Sequence, residues 1–375
     1  MIEFKNVGKQ FKDNVVLKGL TLEIKEGELV VFIGPSGCGK TTSLKMINRL
    51  IEPSSGTILV NGKDIMKTDT IELRRHMGYV IQQTGLFPHM TVRENIQLIA
   101  GLEGKDHDQM DLRTEELLQM VGLDPKQFID RYPSELSGGQ QQRVGFARAL
   151  MNDPDVILMD EPFSALDPVT RNDLQEELFN LQEEVKKTIV FVTHDMDEAI
   201  KLADRICIMR DGEIVQFDTP EEILRHPKDE YVESFIGKNK IWSSPAFIKA
   251  EDIMIEDPVS ISGKRTLLQG IEIMRGRKVD SLLITDRDRI LQGIVKLKNI
   301  QTAPDKGVRI EDVMEGELVA VDEQDSLLDV LEVMNHEETG YLPVTNKLGQ
   351  LRGLITRSSL LSVLSEQFIQ EEEVQ

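Results

Sequence analysis

The stretch that decides the fold runs Leu29-Val30-Val31-Phe32-Ile33-Gly34-Pro35-Ser36-Gly37-Cys38-Gly39-Lys40-Thr41-Thr42. Leu29–Ile33 reads as a buried strand, and the spacing of Leu44, Ile47 and Leu50 after the loop reads as a helix face. Between them lies Gly-x4-Gly-Lys-[Ser/Thr] in strand–loop–helix context. The glycines let the backbone curl until successive N–H groups face phosphate oxygens, and the helix N-terminus adds a partial positive charge. Lys40 is expected to reach the β- and γ-phosphates of a nucleotide and the Thr41 hydroxyl to ligate Mg²⁺. Gly34, Pro35, Ser36, Gly37, Cys38, Gly39 and Thr42 complete the cradle, with Cys38 contributing backbone.

Farther along, Val156-Ile-Leu-Met-Asp160-Glu161 is an apolar strand ending in two carboxylates. Asp160 is placed to hold Mg²⁺ through water, and Glu161 is the candidate general base for an attacking water. Thr188–Val192 is a third strand of the same kind, ending near His194. Apolar strands alternating with helical stretches predict a mostly parallel sheet flanked by helices. Residues 87–150 lack comparable strands and read as a helical insertion.

Leu136-Ser137-Gly138-Gly139-Gln140 makes the pattern specific. A phosphate loop, this pentapeptide and the carboxylate strand, in that order, resemble the ATP-binding cassette (ABC) ATPases over residues 1–237. The resemblance implies ATP and Mg²⁺ as cofactors and an α/β fold, a mixed sheet with a helical subdomain. It implies that Gln82 contacts Mg²⁺ and reports to a transmembrane partner. It makes Ser164-Ala-Leu-Asp167 a dimer-contact loop, His194 the switch for the γ-phosphate, and Phe11 a ring that stacks on adenine. It further implies a head-to-tail dimer, in which Ser137, Gly138, Gly139 and Gln140 of one copy cap the γ-phosphate held by Lys40 of the other.

Composition narrows the setting. The chain has 375 residues, 40% hydrophobic and 29% charged, enough for two or three domains. No apolar run approaches the roughly 18 residues of a membrane span, and Met1-Ile-Glu-Phe-Lys5 opens no secretory signal peptide. The expectation is a chain neither integral to a membrane nor exported by that route. A net charge of −21 opposes binding to a phosphate backbone, so nucleic acid is disfavoured as a partner. Two cysteines, Cys38 and Cys207, are too few for a disulfide framework and suit a reducing, cytosolic compartment.

The last third carries an internal repeat. Residues 251–300 align without a gap on 311–360, pairing Met254 with Met314, Leu267 with Leu327, Met274 with Met334, Leu282 with Leu342 and Gly293 with Gly353. Each copy reads as a short helix, a strand, a helix (Leu267–Met274 in the first), two strands around a turn, and a helix. Two copies predict a paired module rather than a solenoid. The expected division is an ATPase domain over 1–237, a linker over 238–245, repeats over 246–305 and 306–365, and an acidic tail over 366–375.

The pair resembles tandem cystathionine-β-synthase (CBS) domains, an α+β fold. Together with Ile81–Asn95, Asp160–Pro168, Thr193–Arg205 and Gly212–Leu224, it is similar to the ATPases of quaternary-amine importers for glycine betaine, carnitine or choline. That implies a permease and an extracytoplasmic solute-binding protein as partners, and a peripheral place on the cytoplasmic face of the membrane. Import of another solute such as an amino acid, or a non-transport ABC ATPase, stays open. The CBS pattern Gly-h-h-[Ser/Thr]-x-x-Asp is broken by Asn299 and Ser359, which disfavours ordinary AMP or ATP recognition. Val259, Val279, Ser281, Leu354, Tyr341 and Arg357 suit a dinucleotide instead, apolar groups for bases and a guanidinium for phosphate. Cyclic di-AMP is the expected ligand; a purely structural pairing module, or ionic-strength sensing through Arg275, Arg277 and Lys278, is the alternative.

Overall fold

The computed structural model describes residues 1–81, 85–164, 166–237, 240–243, 245–303 and 308–362, with backbone only at 181, 183–185 and 242–243. Two units are distinct, Met1–Ile236 and Gly237–Gln375.

In the first unit, β1 (Ile2–Phe11), β2 (Asn14–Ile24), β3 (Leu29–Ile33), α1 (Lys40–Ile47), β4 (Ser55–Val60), β5 (Lys63–Asp64), α2 (Thr70–Arg75) and β6 (Met77–Val80) come first. The helical stretch follows: α3 (Val92–Leu102), α4 (His107–Met120), α5 (Pro125–Phe128) and α6 (Gly138–Leu150). Then come β7 (Val156–Asp160), α7 (Pro168–Val185), β8 (Thr188–Val192), α8 (Met196–Leu202), β9 (Arg205–Arg210), β10 (Glu213–Asp218), α9 (Pro220–Arg225) and α10 (Glu230–Ile236).

The central sheet has the order β10-β9-β3-β8-β7-β6, parallel except for the β9–β10 hairpin. β3, β7 and β8 are apolar runs buried along their whole length because both faces are covered. Leu29, Val31, Ile33, Ile157, Met159, Ile189 and Phe191 face one core with α3, α4 and α6. Val30, Phe32, Val156, Leu158, Val190 and Val192 face a second core with an antiparallel sheet, β2-β1-β4-β5. The sequence reading contained no such second sheet. Its strands alternate (Ile2, Phe4, Leu20, Leu22 and Ile24 inward) and so form one wall of the core rather than a run buried on both sides.

The helix after the phosphate loop is shorter than expected. Asn48 closes α1, Arg49 adopts a left-handed conformation, and Leu50 is exposed rather than part of the buried face.

In the second unit, α11 (Ala250–Ile253), β11 (Ile255–Glu256), β12 (Ser260–Ile261), α12 (Leu267–Arg277), β13 (Ser281–Thr285), β14 (Leu291–Lys296) and α13 (Leu297–Gln301) form the first repeat. The second holds β15 (Val321–Asp322), α14 (Leu327–His336), β16 (Tyr341–Thr345) and β17 (Leu351–Thr356). The first long helix runs three residues beyond Met274, to Arg277, and closes on left-handed Lys278. Each repeat has its own core, with Ile261, Leu267, Met274, Leu282, Ile284 and Val295 matched by Val321, Leu327, Met334, Leu342, Val344 and Ile355. The leading segments cross over: Ile248, Ala250 and Ile253 pack in the second core, while Ile310 packs in the first. β11 likewise pairs with β17 of the other repeat, Ile255 opposite Leu354. Neither core closes without the other copy, the physical reason for a pair. The tail expected over 366–375 lies outside the described residues.

Candidate functional site

The phosphate loop sits at the C-terminal end of β3, central in its sheet, where ligands of open α/β sheets bind. Gly34 and Gly39 are required there. A Cβ on Gly34 would lie 2.1 Å from the Met209 carbonyl oxygen, and one on Gly39 2.4 Å from Leu17 Cδ2; both have positive φ. Lys40 is buried, and its ammonium donates to the carbonyls of Gly34 at 2.6 Å and Pro35 at 3.0 Å. The loop thus holds its cation on its own backbone, oriented into the turn. The Cys38 thiol is buried and pushed up by that burial, so it is no reactive thiolate. Cys38 N donates to Pro35 O, closing the turn around Ser36 and Gly37.

Strand pairing brings the carboxylates to this loop. β3, β8 and β7 are parallel neighbours, so their C-terminal ends share one edge. The Thr41 hydroxyl donates to Asp160 Oδ1 at 2.8 Å, and Lys45, one turn into α1, lies 3.4 Å from Asp160 Oδ2. Lys45 escaped the sequence reading; its signal is the i,i+4 spacing from Thr41 on one helix face. Glu161 has φ +46°, left-handed for a residue with a Cβ, and is fixed there by donation of its N–H to Val192 O at 2.9 Å. Such a conformation costs about 1–3 kcal/mol and persists where the fold over-determines it. It aims the carboxylate across the strand ends, with Glu161 Oε2 3.4 Å from His194 Nδ1. Glu161 and His194 therefore form one cluster, beside Thr41, Lys40 and Asp160.

Ser137 and Gln140 bond to each other at the head of α6. Ser137 N donates to Gln140 Oε1 at 3.0 Å and Gln140 N donates to Ser137 Oγ at 3.3 Å, a reciprocal cap. Gly138 has open space above it, and a Cβ on Gly139 would strike Thr170 Cγ2 at 2.4 Å. The cap leaves the Ser137 hydroxyl hydrogen available as a donor beside a helix N-terminus. Asp167 caps α7, accepting from Thr170 N at 3.1 Å; hydrogen bonding from the Thr170 side chain first, and from that N–H second, holds its carboxyl below the usual carboxylate range. Phe11 ends β1 and is half-exposed, with Lys9 Nζ 4.6 Å from its ring centre. Gln82 lies outside the described residues. Arg74, Tyr79, Phe87, Ile99 and Arg148 border a groove of about 320 Å³ between β6 and the helical stretch.

The second unit holds a cavity of about 830 Å³ between its repeats. Val259, Val279, Ser281, Tyr341 and Leu354 line it, with Thr356. Arg357 is not on the lining; its N–H donates to Gly340 O and its guanidinium to Thr339 O, at the cavity's edge. Ser359 exchanges hydrogen bonds with Thr356, each backbone N–H donating to the other's hydroxyl. Asn299 and Lys296 instead both donate to Glu315, at 3.3 and 2.8 Å. The two broken CBS patterns are therefore spent on internal contacts. No cluster of three or more metal-ligating side chains occurs among the described residues, and no described helix is long and apolar enough to cross a membrane.

Residues 17–164 match the ABC transporter family, and residues 250–305 and 310–366 each match the CBS domain. The chain is 50% identical, over 97% of its length and 92% of the relative's, to the carnitine transport ATP-binding protein OpuCA of Listeria monocytogenes. It is 48% identical to the glycine betaine/carnitine/choline transport ATP-binding protein OpuCA of Bacillus subtilis, covering 100% of this chain and 99% of that one. Among solved structures it resembles a dimeric ATP-binding cassette in a post-hydrolysis state bound to ADP and Pi. That match has 38% identity and a TM-score of 0.54, over 59% of this chain and 99% of the other.

Proposed function

The chain belongs to the ATP-binding proteins of ABC transporters that carry paired CBS domains, and from that premise we propose that it energises import of quaternary-amine osmolytes. Glycine betaine, carnitine and choline are the solutes named for its relatives. In this reading two copies sit head to tail on the cytoplasmic face of a permease fed by a solute-binding protein. The groove between β6 and the helical stretch, with Phe87 and Ile99 exposed on it, supports docking of the permease there.

The chemistry follows from the cluster at the strand ends. Lys40 exchanges its two loop carbonyls for phosphate oxygens, with the backbone of Gly34–Thr42 around them and Phe11 against the base. Mg²⁺ fits the oxygen donors of Thr41 and Asp160, with Gln82 the expected third, and supplies charge neutralisation on the phosphates. Ser137, Gly138 and Gly139 of the second copy close over the γ-phosphate. Glu161 takes a proton from water as the water oxygen bonds the γ-phosphorus; the bond from that phosphorus to the β–γ bridging oxygen breaks, giving ADP and phosphate. His194, beside Glu161, holds the γ-phosphate oxygens. Loss of the bridging charge lets the dimer open, and transport couples to that opening.

The observation that carries this reading is the left-handed Glu161 facing His194 at 3.4 Å, in a chain whose relatives match nearly end to end. The test is ATP-driven uptake of glycine betaine, carnitine and choline into vesicles bearing the chain with its permease and binding protein. Uptake of one or more, abolished by Glu161→Gln, is expected; uptake of none, or hydrolysis indifferent to Glu161→Gln, contradicts it.

Cyclic di-AMP inhibiting transport through the second unit is part of the same reading. The cavity's volume is within the usual range of small-ligand sites, and it joins apolar walls to Tyr341 and Ser281. Arg357 at the rim would pair a phosphate of a ligand that protrudes from the cavity.

A further inference from the structure

His194 stands on a short turn between β8 and α8, with its side chain 65% exposed and so lightly held by its own contacts. Its neighbours are fastened instead. The Thr193 hydroxyl donates to Glu198 Oε2 at 2.6 Å and accepts from Asp195 N at 3.1 Å. Asp195 Oδ1 accepts from Asp197 N and Glu198 N, capping α8. Glu198 Oε1 accepts from Gln175 Nε2 at 3.4 Å, and both side chains are buried, at 5% and 4% exposure.

Gln175 belongs to α7, the helix that Asp167 caps. One turn closer to that cap, Arg171 donates from Nη2 to Leu166 O at 3.3 Å, and its Nη1 lies 3.8 Å from Asp195 Oδ2. Arg171 and Gln175, four residues apart, thus share one face of α7: Arg171 reaches Asp195 in the turn bearing His194, and Gln175 reaches Glu198 in α8, which accepts from Thr193 in that turn. Nothing in the hydrolytic chemistry uses these groups, yet burying the Glu198 carboxyl and the Gln175 amide there is costly unless their geometry matters.

We propose that Arg171, Gln175 and Glu198 form a polar tie, running along α7, that sets the position of His194 according to the position of the dimer-contact loop at Leu166 and Asp167. They are positioning residues: Glu198 acts through Thr193, and Arg171 acts through Leu166 and Asp195. The proposal rests on the reading above, in which that loop contacts a second copy; arrival of the copy would then be felt at His194 through α7. Glu198 must accept from both Thr193 and Gln175. Glutamine at 198 can still accept from Thr193, since the Gln175 amide can turn to accept from the new amide; leucine can do neither.

The test uses the full chain with Mg-ATP, reading steady-state kcat and KM, single-turnover phosphate release, and thermal unfolding. Glu198→Leu and Arg171→Leu are each expected to lower kcat by about 10- to 100-fold, the scale on which ångström misplacement acts. KM should stay within about twofold, and Glu198→Gln should restore most of kcat. In single turnover, adding Arg171→Leu to His194→Ala should bring no further loss, because both remove the same function. Unchanged kcat in both leucine variants, a rise in KM alone, or losses that multiply with His194→Ala would each overturn the tie. If Glu198→Leu fails to fold, Arg171→Leu and the paired variant decide alone. Failure of the dimer reading is separately visible: Glu161→Gln would then form no ATP-dependent dimer, whatever the kcat of the tie variants.

Discussion

At the scale of a single residue the proposed chemistry turns on Glu161, where a left-handed backbone and one hydrogen bond to Val192 set where its carboxylate points. Glu161→Gln keeps that backbone and removes the base. Phosphate release should fall by roughly 100-fold or more, while ATP binding, read by nucleotide fluorescence, persists. Gly34 makes the complementary case for space. An alanine there meets the Met209 carbonyl at 2.1 Å, and Gly34→Ala should lower stability by roughly 1–3 kcal/mol in urea unfolding. Glu198 adds a pH dependence. Burial, the leading cause, raises its carboxyl above the ordinary value of 4.5, so the folded state binds its proton more tightly than the unfolded chain. Stability from this source is fully present below 4.5 and is lost as pH rises through the raised value. Glu198→Gln should therefore gain stability relative to the parent as pH increases above 4.5, measured by unfolding midpoints across a pH series.

At the scale of elements, the legible parts were those whose signal is continuous. β3, β7 and β8 are buried on both faces and read as unbroken apolar runs, which is why the sheet and the carboxylates at its edge could be placed from sequence. β1, β2 and β4 bury one face only, and their alternation is interrupted by register shifts between Phe4 and Gly8, so the antiparallel wall went unread. The end of α1 depended on Arg49 taking a positive φ, a backbone event with no periodic signature. In the second unit the repeat gave the cores in pairs, but not that Ile310 and Ile248 change places between them. The candidate site followed the same rule: the motif residues singled out from sequence stand at element ends, while Lys45, Arg171 and Gln175 lie inside helices and mean little until the fold faces them. Ser137 caps α6, and in the proposed dimer it has a second duty, offering a donor to the other copy. Ser137→Ala should cost about 1 kcal/mol of stability as a lost cap. Hydrolysis should fall far more than that loss explains, read by comparing urea midpoints with kcat on the same preparation.

The whole molecule joins a nucleotide engine to a paired module whose repeats cannot fold apart. Tyr341→Ala opens the wall of the 830 Å³ cavity; its ring lies outside the two repeat cores and packs on the small cluster of Leu283, Ile294 and Leu351. Calorimetry on the full chain should show cyclic di-AMP binding to the parent and its loss in that variant; absence of heat with the parent contradicts that ligand. The central claim, however, is that each nucleotide is closed in by residues from two copies. Mixing Lys40→Ala chains with Ser137→Ala chains, each inactive alone, tests it most directly. In a mixed head-to-tail dimer one pocket collects both substitutions, and the other pairs an intact Lys40 with an intact Ser137. Hydrolysis should reappear on mixing and rise with the fraction of mixed dimers. If the mixture hydrolyses no more ATP than its inactive components, the two-copy pocket is wrong.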